Sequence, residues 1–262
     1  MIKKPKGGMF HGMNRHMGIG IQEHVTVSGA AADTDILFFW GFEGNNPTNL
    51  NVSGSYPTRL DYSSGATTGS NPENTPSINS TSPMVGTYDL SIPNQYYHTN
   101  FAISSQNIVT GAQGAIGFWF KAVDSTIFTN GGDLFIINNA GYTHYIELQG
   151  YVPSGSNYDL TVTINDGSSN HYTTLDWGSG YLSVGTAYFI EMRWLLSTPK
   201  IEIYVNNVLK GSNTAAITTQ TDYNTLAIGC RASAGNYHLD NFIISQTYKS
   251  LYGYRNNTTA PR

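Results

Sequence analysis

The chain has 262 residues, of which 39% are hydrophobic and only 11% charged, with a formal net charge of −4. Ordinary globular domains are about 25% charged; here Ser, Thr, Asn, Gly and Tyr stand in for the missing charge. A single cysteine, Cys230, excludes an internal disulfide. No stretch approaches the ~18 apolar residues of a membrane-spanning helix.

Residues 1–34 read as an extended N-terminal arm. Lys3, Lys4, Lys6 and Arg15 give the first 22 residues a charge of +4 without a single acid, so the remainder holds −8. Gly7, Gly8, Gly12, Gly18 and Gly20 weaken any free helix, although Met9, Met13 and Met17 sit four apart. Such an arm is expected to order against a partner subunit. Four charges make a weak nucleic-acid signal, so an acidic protein neighbour is the expected partner. No apolar run follows the basic start. The expectation is a product made in a host cytoplasm and built into a virion; the alternative is an extracellular domain whose signal was removed.

The body is expected to span residues 35–246, opening on a strand at Asp35–Phe42. A long loop follows at about 43–83, rich in Asn, Ser, Gly, Pro and Thr, with one short strand near 59–62. Strands are then expected near 85–91, 96–103, 115–122, 133–138, 142–149, 158–164, 170–176, 186–195, 200–205, 207–211, 225–230 and 236–245. In Tyr188–Trp194, Tyr188, Ile190, Met192 and Trp194 share one face, while Glu191 and Arg193 take the other. Asn206-Asn207 makes a two-residue turn, and Asn165-Asp166-Gly167 is a second turn signal. Cys230 reads as a small buried residue of the strand at 225–230. Residues 247–262 read as an irregular, polar tail. Many short strands with frequent turns predict an all-β, antiparallel two-sheet jelly-roll sandwich.

Three segments carry a family likeness. Ala115–Ala122, the stretch from Gly185 through Asn207, and Leu226–Gly229 leading to Tyr237–Ile244 together resemble the laminin-G-like, concanavalin-A-like lectin/glucanase jelly roll. The likeness spans roughly residues 35–246. Phe189 stands where that pattern has Trp, and Asn207 where it has Gly. The fold hosts lectins, hydrolases, lyases and structural modules, so the resemblance implies architecture more than activity.

Lectin-like jelly rolls often begin with F-E-x-G and end with D-D/N on the last strand. Phe42-Glu43-Gly44 and Asp240-Asn241 occupy those places, so the resemblance implies a structural Ca²⁺ held by Glu43 and Asp240. A glycosidase needs two carboxylates about 5–10 Å apart. The E-x-D-x-(x)-E strand of laminarinase-like members is absent, and Glu147, Glu191 and Glu202 stand singly in their strands. The R-x-E-x-R and Q-I-H strings of alginate lyases are absent too, leaving Tyr145, His144 and Arg193 as a partial set. The seven histidines show no metal-ligand spacing. Trp119, Trp194 and Phe189 are expected in the core. Trp177, Tyr96, Tyr97, Tyr142 and Tyr151 are candidate glycan or partner contacts. The expected function is a non-enzymatic virion protein, in head decoration or tail, that presents a lectin-like module. A free lectin and a polysaccharide hydrolase or lyase are the alternatives.

Overall fold

Strands whose apolar residues alternate form the walls of the core. The structure is a computed structural model and describes residues 33–42, 48–49, 77–92, 98–102, 112–127, 132–151, 159–176, 182–218, 222–229 and 236–258. The chain divides into two compact units, Met1–Ala31 and Ala32–Arg262. The arm residues Lys3, Lys4, Lys6, Met9, Met13, Arg15 and Met17 all lie outside the described residues.

Fifteen strands are described: β1 (Ile36–Trp40), β2 (Thr48–Asn49), β3 (Ser77–Asn79), β4 (Asp89–Ile92), β5 (His98–Ala102), β6 (Gln113–Ala122), β7 (Gly132–Asn138) and β8 (His144–Tyr151), then β9 (Asp159–Asp166), β10 (Asn170–Asp176), β11 (Ala187–Leu195), β12 (Lys200–Val205), β13 (Val208–Asn213), β14 (Thr225–Gly229) and β15 (Tyr237–Ser245). They form two antiparallel sheets. A nine-stranded sheet runs β13-β12-β11-β6-β15-β1-β2, with β4 also on β15 and β3 on β4. A six-stranded sheet runs β10-β9-β8-β7-β14-β5. The expected all-β, antiparallel two-sheet sandwich is what forms. Most strand ends fall within two residues of expectation, but the segment 43–83 contributes two short strands, β2 and β3, and the one expected near 59–62 lies outside the described residues. Among the described residues, no helix is long and apolar enough to cross a membrane.

The main core lies between the sheets. Phe118 of β6 and Phe242 of β15 stack at 5.4 Å, and both meet Phe135 of β7 edge-on, at 6.0 and 5.6 Å. This trio joins the facing sheets in the offset and T-shaped geometries that aromatic quadrupoles favour. At Asn206 and Asn207 both φ values are positive, 49° and 66°, as a tight hairpin between β12 and β13 requires. At the rim the sheets touch. The Asn213 side chain of β13 donates to the Tyr172 carbonyl of β10 at 2.6 Å.

A bulge in β15 sets which residues face inward. Tyr237 and Leu239 point into the core, and so do Phe242 and Ile244, a change of parity made between them. The register shifts between Asp240 and Ile243, and Asn241 has a φ of 46°. One extra residue in a bulge reverses the alternation that follows it.

The outer face of the nine-stranded sheet is covered as well. Ile36, Phe39, Ala115, Phe189, Ile243 and Leu251 form a second, smaller cluster. Trp194 joins the main core as expected; Phe189 belongs to this outer cluster, with Trp119 half-buried against it. The segment 246–258 is irregular, but it is tied down. Leu251 N–H donates to Glu191 Oε1 at 2.6 Å, and Trp119 Nε1 donates to the Arg255 carbonyl at 2.6 Å. The Asn241 amide donates to the carbonyls of Arg255 and Asn257 at 2.8 and 2.7 Å. Lys249 Nζ lies 2.6 Å from Asp33 Oδ2, and the Tyr254 hydroxyl donates to the same carboxylate.

Candidate functional site

Antiparallel pairing places every second residue of a strand on the same side. In β8, Ile146 and Leu148 face the core, and in β9 Leu160, Val162 and Ile164 do. Tyr145, Glu147 and Gln149 therefore face outward. Their partners on β9 are Asn165, Thr163 and Thr161, and the partners of these on β10 are Asn170, Tyr172 and Thr174. The nine residues make a three-by-three grid on the outer face of the six-stranded sheet. By strand spacing it covers about 14 Å along the strands and 10 Å across them.

The grid holds phenols, amides, hydroxyls and one carboxylate, with no aliphatic and no basic side chain. Asn170 Oδ1 accepts from the Tyr145 hydroxyl at 2.9 Å and from Asn165 Nδ2 at 2.6 Å. Gln149 Nε2 donates to Glu147 Oε1 at 3.1 Å. Burial pushes the Tyr145 phenol above its ordinary pKa, and the charge of Glu147 adds to that. The grid is open along β10, where Tyr172 is 57% exposed and Asn170 and Thr174 are also exposed. Its β8–β9 floor is buried: Thr163, Thr161 and Glu147 are nearly inaccessible. Two oxygens on this face have no hydrogen-bond partner: Thr161 Oγ1, and Oδ1 of Asn138, which adjoins the grid opposite Tyr145 on β7. Buried polar atoms are nearly always paired, so each exception calls for a cause.

One end of the same sheet carries a second polar cluster. His144 Nδ1 lies 2.8 Å from Asp222 Oδ1, and Asn139 Nδ2 donates to Asp222 Oδ2 at 2.9 Å. Tyr142, half-exposed, sits in the β7–β8 turn with a φ of 53°, a region that costs energy for a residue with a Cβ. Of the expected aromatic contacts, Tyr142 is thus displayed to solvent. Tyr151 ends β8 opposite Asp159. Trp177, Tyr96 and Tyr97 lie outside the described residues. Tyr172 was not among the expected contacts. Its strand, Asn-His-Tyr-Thr-Thr, is polar on both sides, so alternation alone does not say which side faces out.

Of the three strand glutamates, two are neighbours: Glu191 and Glu202 lie diagonally on one face of the paired strands β11 and β12. Glu191 and Glu202 lie on the nine-stranded sheet, and Glu147 lies on the far side of the sandwich. Glu191 is engaged by Leu251 N–H and by Arg193 Nη2 at 3.0 Å. Glu202 accepts from the Tyr204 hydroxyl at 2.9 Å and from Tyr248. Arg193 is likewise on the sheet opposite Tyr145 and His144, so the partial lyase set does not assemble. Asp240 is fully buried at the β15 bulge. Its Oδ2 accepts the Val85 N–H at 2.7 Å and its Oδ1 the Asn241 N–H at 2.8 Å. Asn241 Oδ1, beside it, is buried without a partner. The first and last strands pair as expected, β1 on β15, but Glu43 lies outside the described residues. Among the described residues, no three His, Cys, Asp or Glu side chains are grouped to hold a metal.

No protein-family model matches this chain, and no curated protein matches it. Solved structures do. The chain is similar to the ligand-binding domain of botulinum neurotoxin serotype D solved with N-acetylneuraminic acid, at 10% identity and a TM-score of 0.58, over 84% of this chain and 49% of that one. It is similar to the binding domain of botulinum neurotoxin DC in complex with rat synaptotagmin II, at 9% identity and 0.57, over 86% and 52%. The type G receptor-binding domain matches at 11% and 0.52, over 83% and 49%. This chain spans about half the length of each. At such identities the likeness shows the fold alone.

Proposed function

We propose that this chain is a non-enzymatic glycan-binding module that works through the grid on β8, β9 and β10. The observation that carries the reading is Tyr172, more than half exposed beside Thr163 and next to the unpartnered hydroxyl of Thr161. A sugar presents a ring face that stacks on a phenol and hydroxyls that pair with amide and hydroxyl groups. An ordinary solvated sheet face is exposed throughout; this one has a buried floor with an unmet polar atom. The similar fold of a domain solved with N-acetylneuraminic acid supports a binding role. Glu147 lies on the sheet opposite Glu191 and Glu202, and of that neighbouring pair Glu191 is fully buried and held by Arg193 and the Leu251 N–H, while Glu202 accepts from Tyr204 and Tyr248, which argues against a hydrolytic pair.

Tyr172→Ala tests the reading. The side chain makes little of the core, so the variant should keep its melting temperature while losing at least about tenfold in glycan affinity, roughly 1.4 kcal/mol. Unchanged affinity on a glycan array that the parent chain binds would remove the grid from the function.

Attachment belongs to the same proposal. The basic, Gly- and Met-rich residues 1–34 join the acidic body to a larger assembly, a phage virion in head or tail. Trimming residues 1–32, which leaves Asp33 on Lys249, should abolish incorporation into particles while the body still folds. A structural Ca²⁺ is also proposed. Asn241 Oδ1, buried without a partner, is a neutral oxygen donor for it beside Asp240. Glu43 would supply a second carboxylate, and the ion would brace the bulge where β1 and β15 meet. Calorimetric titration of chelator-stripped protein reads that binding directly.

A further inference from the structure

We infer that the site takes glycans as extended chains, with one sugar on Tyr172 and a second, distant one on Tyr142 in the β7–β8 turn. The inference rests on the glycan-binding reading above and adds the length of ligand that the site requires.

Tyr142 holds its place in the turn under strain. The β7–β8 hairpin closes with the Tyr142 N–H on the Asn139 carbonyl and the Asn139 N–H on the His144 carbonyl, both at 3.1 Å. Short hairpin loops of this kind put one residue in the left-handed region, where glycine is the ordinary choice. A glycine is at hand in Gly141, but it does not take that conformation; Tyr142 does, with a φ of 53°. The Tyr142 side chain is 51% exposed, so packing in the core does not offset the strain. Strain of this sort persists where the surroundings over-determine it, and it gathers at binding sites.

The surroundings do so here. Asn139 Oδ1 accepts the N–H groups of Thr143 and His144 at 3.0 and 3.3 Å, and its Nδ2 donates to Thr143 Oγ1 and Asp222 Oδ2, each at 2.9 Å. The β9–β10 turn is pinned in the same manner. Asp166 Oδ1 accepts from the Ser168 N–H, the Ser168 hydroxyl and the Ser169 N–H at 3.0, 2.7 and 3.1 Å. The two turns meet: a Cβ on Gly167, whose φ is 87°, would come within 2.7 Å of His144 Nε2, so a glycine lets the β9–β10 turn close on the start of β8. Exposed Thr143, Gly167, Ser168, Ser169 and Asn170 make a polar ledge between the two phenols.

Strand geometry sets the span. Tyr172 is level with Thr163 and Glu147, and so lies two strands across from β8 and five residues along it from Tyr142. At about 3.3 Å per residue and 4.8 Å per strand, the two Cα atoms are roughly 15–19 Å apart. A single pyranose ring does not reach from one phenol to the other. A short chain of them does, with ring faces on the phenols and hydroxyls along the ledge. Both turns are fixed before a ligand arrives, so little ordering opposes binding.

The experiment carries the full chain through cello-, laminari-, malto-, xylo- and chito-oligosaccharide ladders, each from monosaccharide to hexasaccharide, by calorimetry. In a ladder that binds, the hexasaccharide should bind at least about tenfold more tightly than the disaccharide. Tyr142→Gly should remove most of that gain while weakening the disaccharide far less. The same variant should melt at the parent's temperature or above it, because glycine is unstrained at that φ. Tyr172→Ala should weaken every length. Equal affinity for disaccharide and hexasaccharide overturns the inference and leaves glycan binding standing. A Tyr142→Gly variant that keeps the gain with length also overturns it, and so does one that melts lower and weakens every length alike, since Tyr142 would then serve the fold. Binding of no member of any ladder overturns the glycan-binding reading and this inference with it.

Discussion

Thr161 shows how one hydroxyl can separate folding from function. Its side chain is buried on the polar face of the six-stranded sheet, and its oxygen has no partner. Burying an unpaired hydroxyl costs on the order of 1–3 kcal/mol. Thr161→Val removes the hydroxyl while keeping the branched shape that suits a strand. Thermal unfolding of the ligand-free variant should show a stability equal to the parent's or higher by up to about 1 kcal/mol, while calorimetry shows weaker glycan binding. Loss of stability with unchanged binding would mark the hydroxyl as part of the fold instead. Asn241 poses the same kind of question at the β15 bulge, where its amide nitrogen holds two carbonyls and its oxygen none.

At the scale of elements, the segment 246–258 acts as a strap across the outer face of the nine-stranded sheet. It has almost no regular structure, only a 3₁₀ turn at Tyr252–Tyr254. It is held by Leu251 in the outer cluster and by polar ties to Glu191, Trp119, Asn241 and Asp33. Glu191 is the deepest of these ties: it is fully buried between Arg193 and the Leu251 N–H. Glu191→Ala leaves a buried guanidinium without its carboxylate and an N–H without an acceptor, a change that costs about 3–5 kcal/mol. Chemical denaturation should register that loss, and proteolysis should cut the variant within 246–258 before the sandwich. A loss below about 1 kcal/mol would mean that the strap is held by its other ties, at Leu251, Trp119, Asn241 and Asp33. Gly211 marks a comparable point at the rim, since a Cβ there would come within 2.6 Å of the Thr174 carbonyl of β10. Only a residue without a side chain lets β13 close on β10.

At the scale of the whole molecule, the described acids act together on stability. Asp33, Asp124, Asp166 and Asp222 all have lowered pKa values. In each, burial pulls the value up and hydrogen bonds to the charged form more than offset it. Each carboxyl binds fewer protons folded than unfolded. Its contribution is therefore complete above the unfolded pKa, about 3.9, and is lost as pH falls through the lower folded value. Calorimetric melting temperatures should be nearly flat from pH 7 to about 5 and fall steeply below about 4. Asp166→Asn should flatten part of that fall. A melting temperature that declined equally between pH 7 and 5 would point to other groups.

Much of the fold was legible in the chain itself. Tyr188–Trp194 alternates, Asn206-Asn207 makes a turn, and β1 and β6 carry the longest apolar runs, because period, turn chemistry and burial are local properties. The two-sheet sandwich follows from them. Tertiary structure decided what lies outside that local reach. The strap at 246–258 looks merely polar as a string, since its anchors, Glu191, Trp119 and Asn241, are distant in sequence. The parity change at Asp240-Asn241 depends on a pairing with β6 that no local pattern records. The grid was hidden for the same reason. Tyr145, Thr163 and Tyr172 belong to three strands, and only the register of β8, β9 and β10 turns all three to the same face. The chain alone determined an all-β pattern of short strands and frequent turns with little charge to spread over them. Only folding decided which strands share a sheet, because sheet membership is set by long-range pairing rather than by the residues each strand contains.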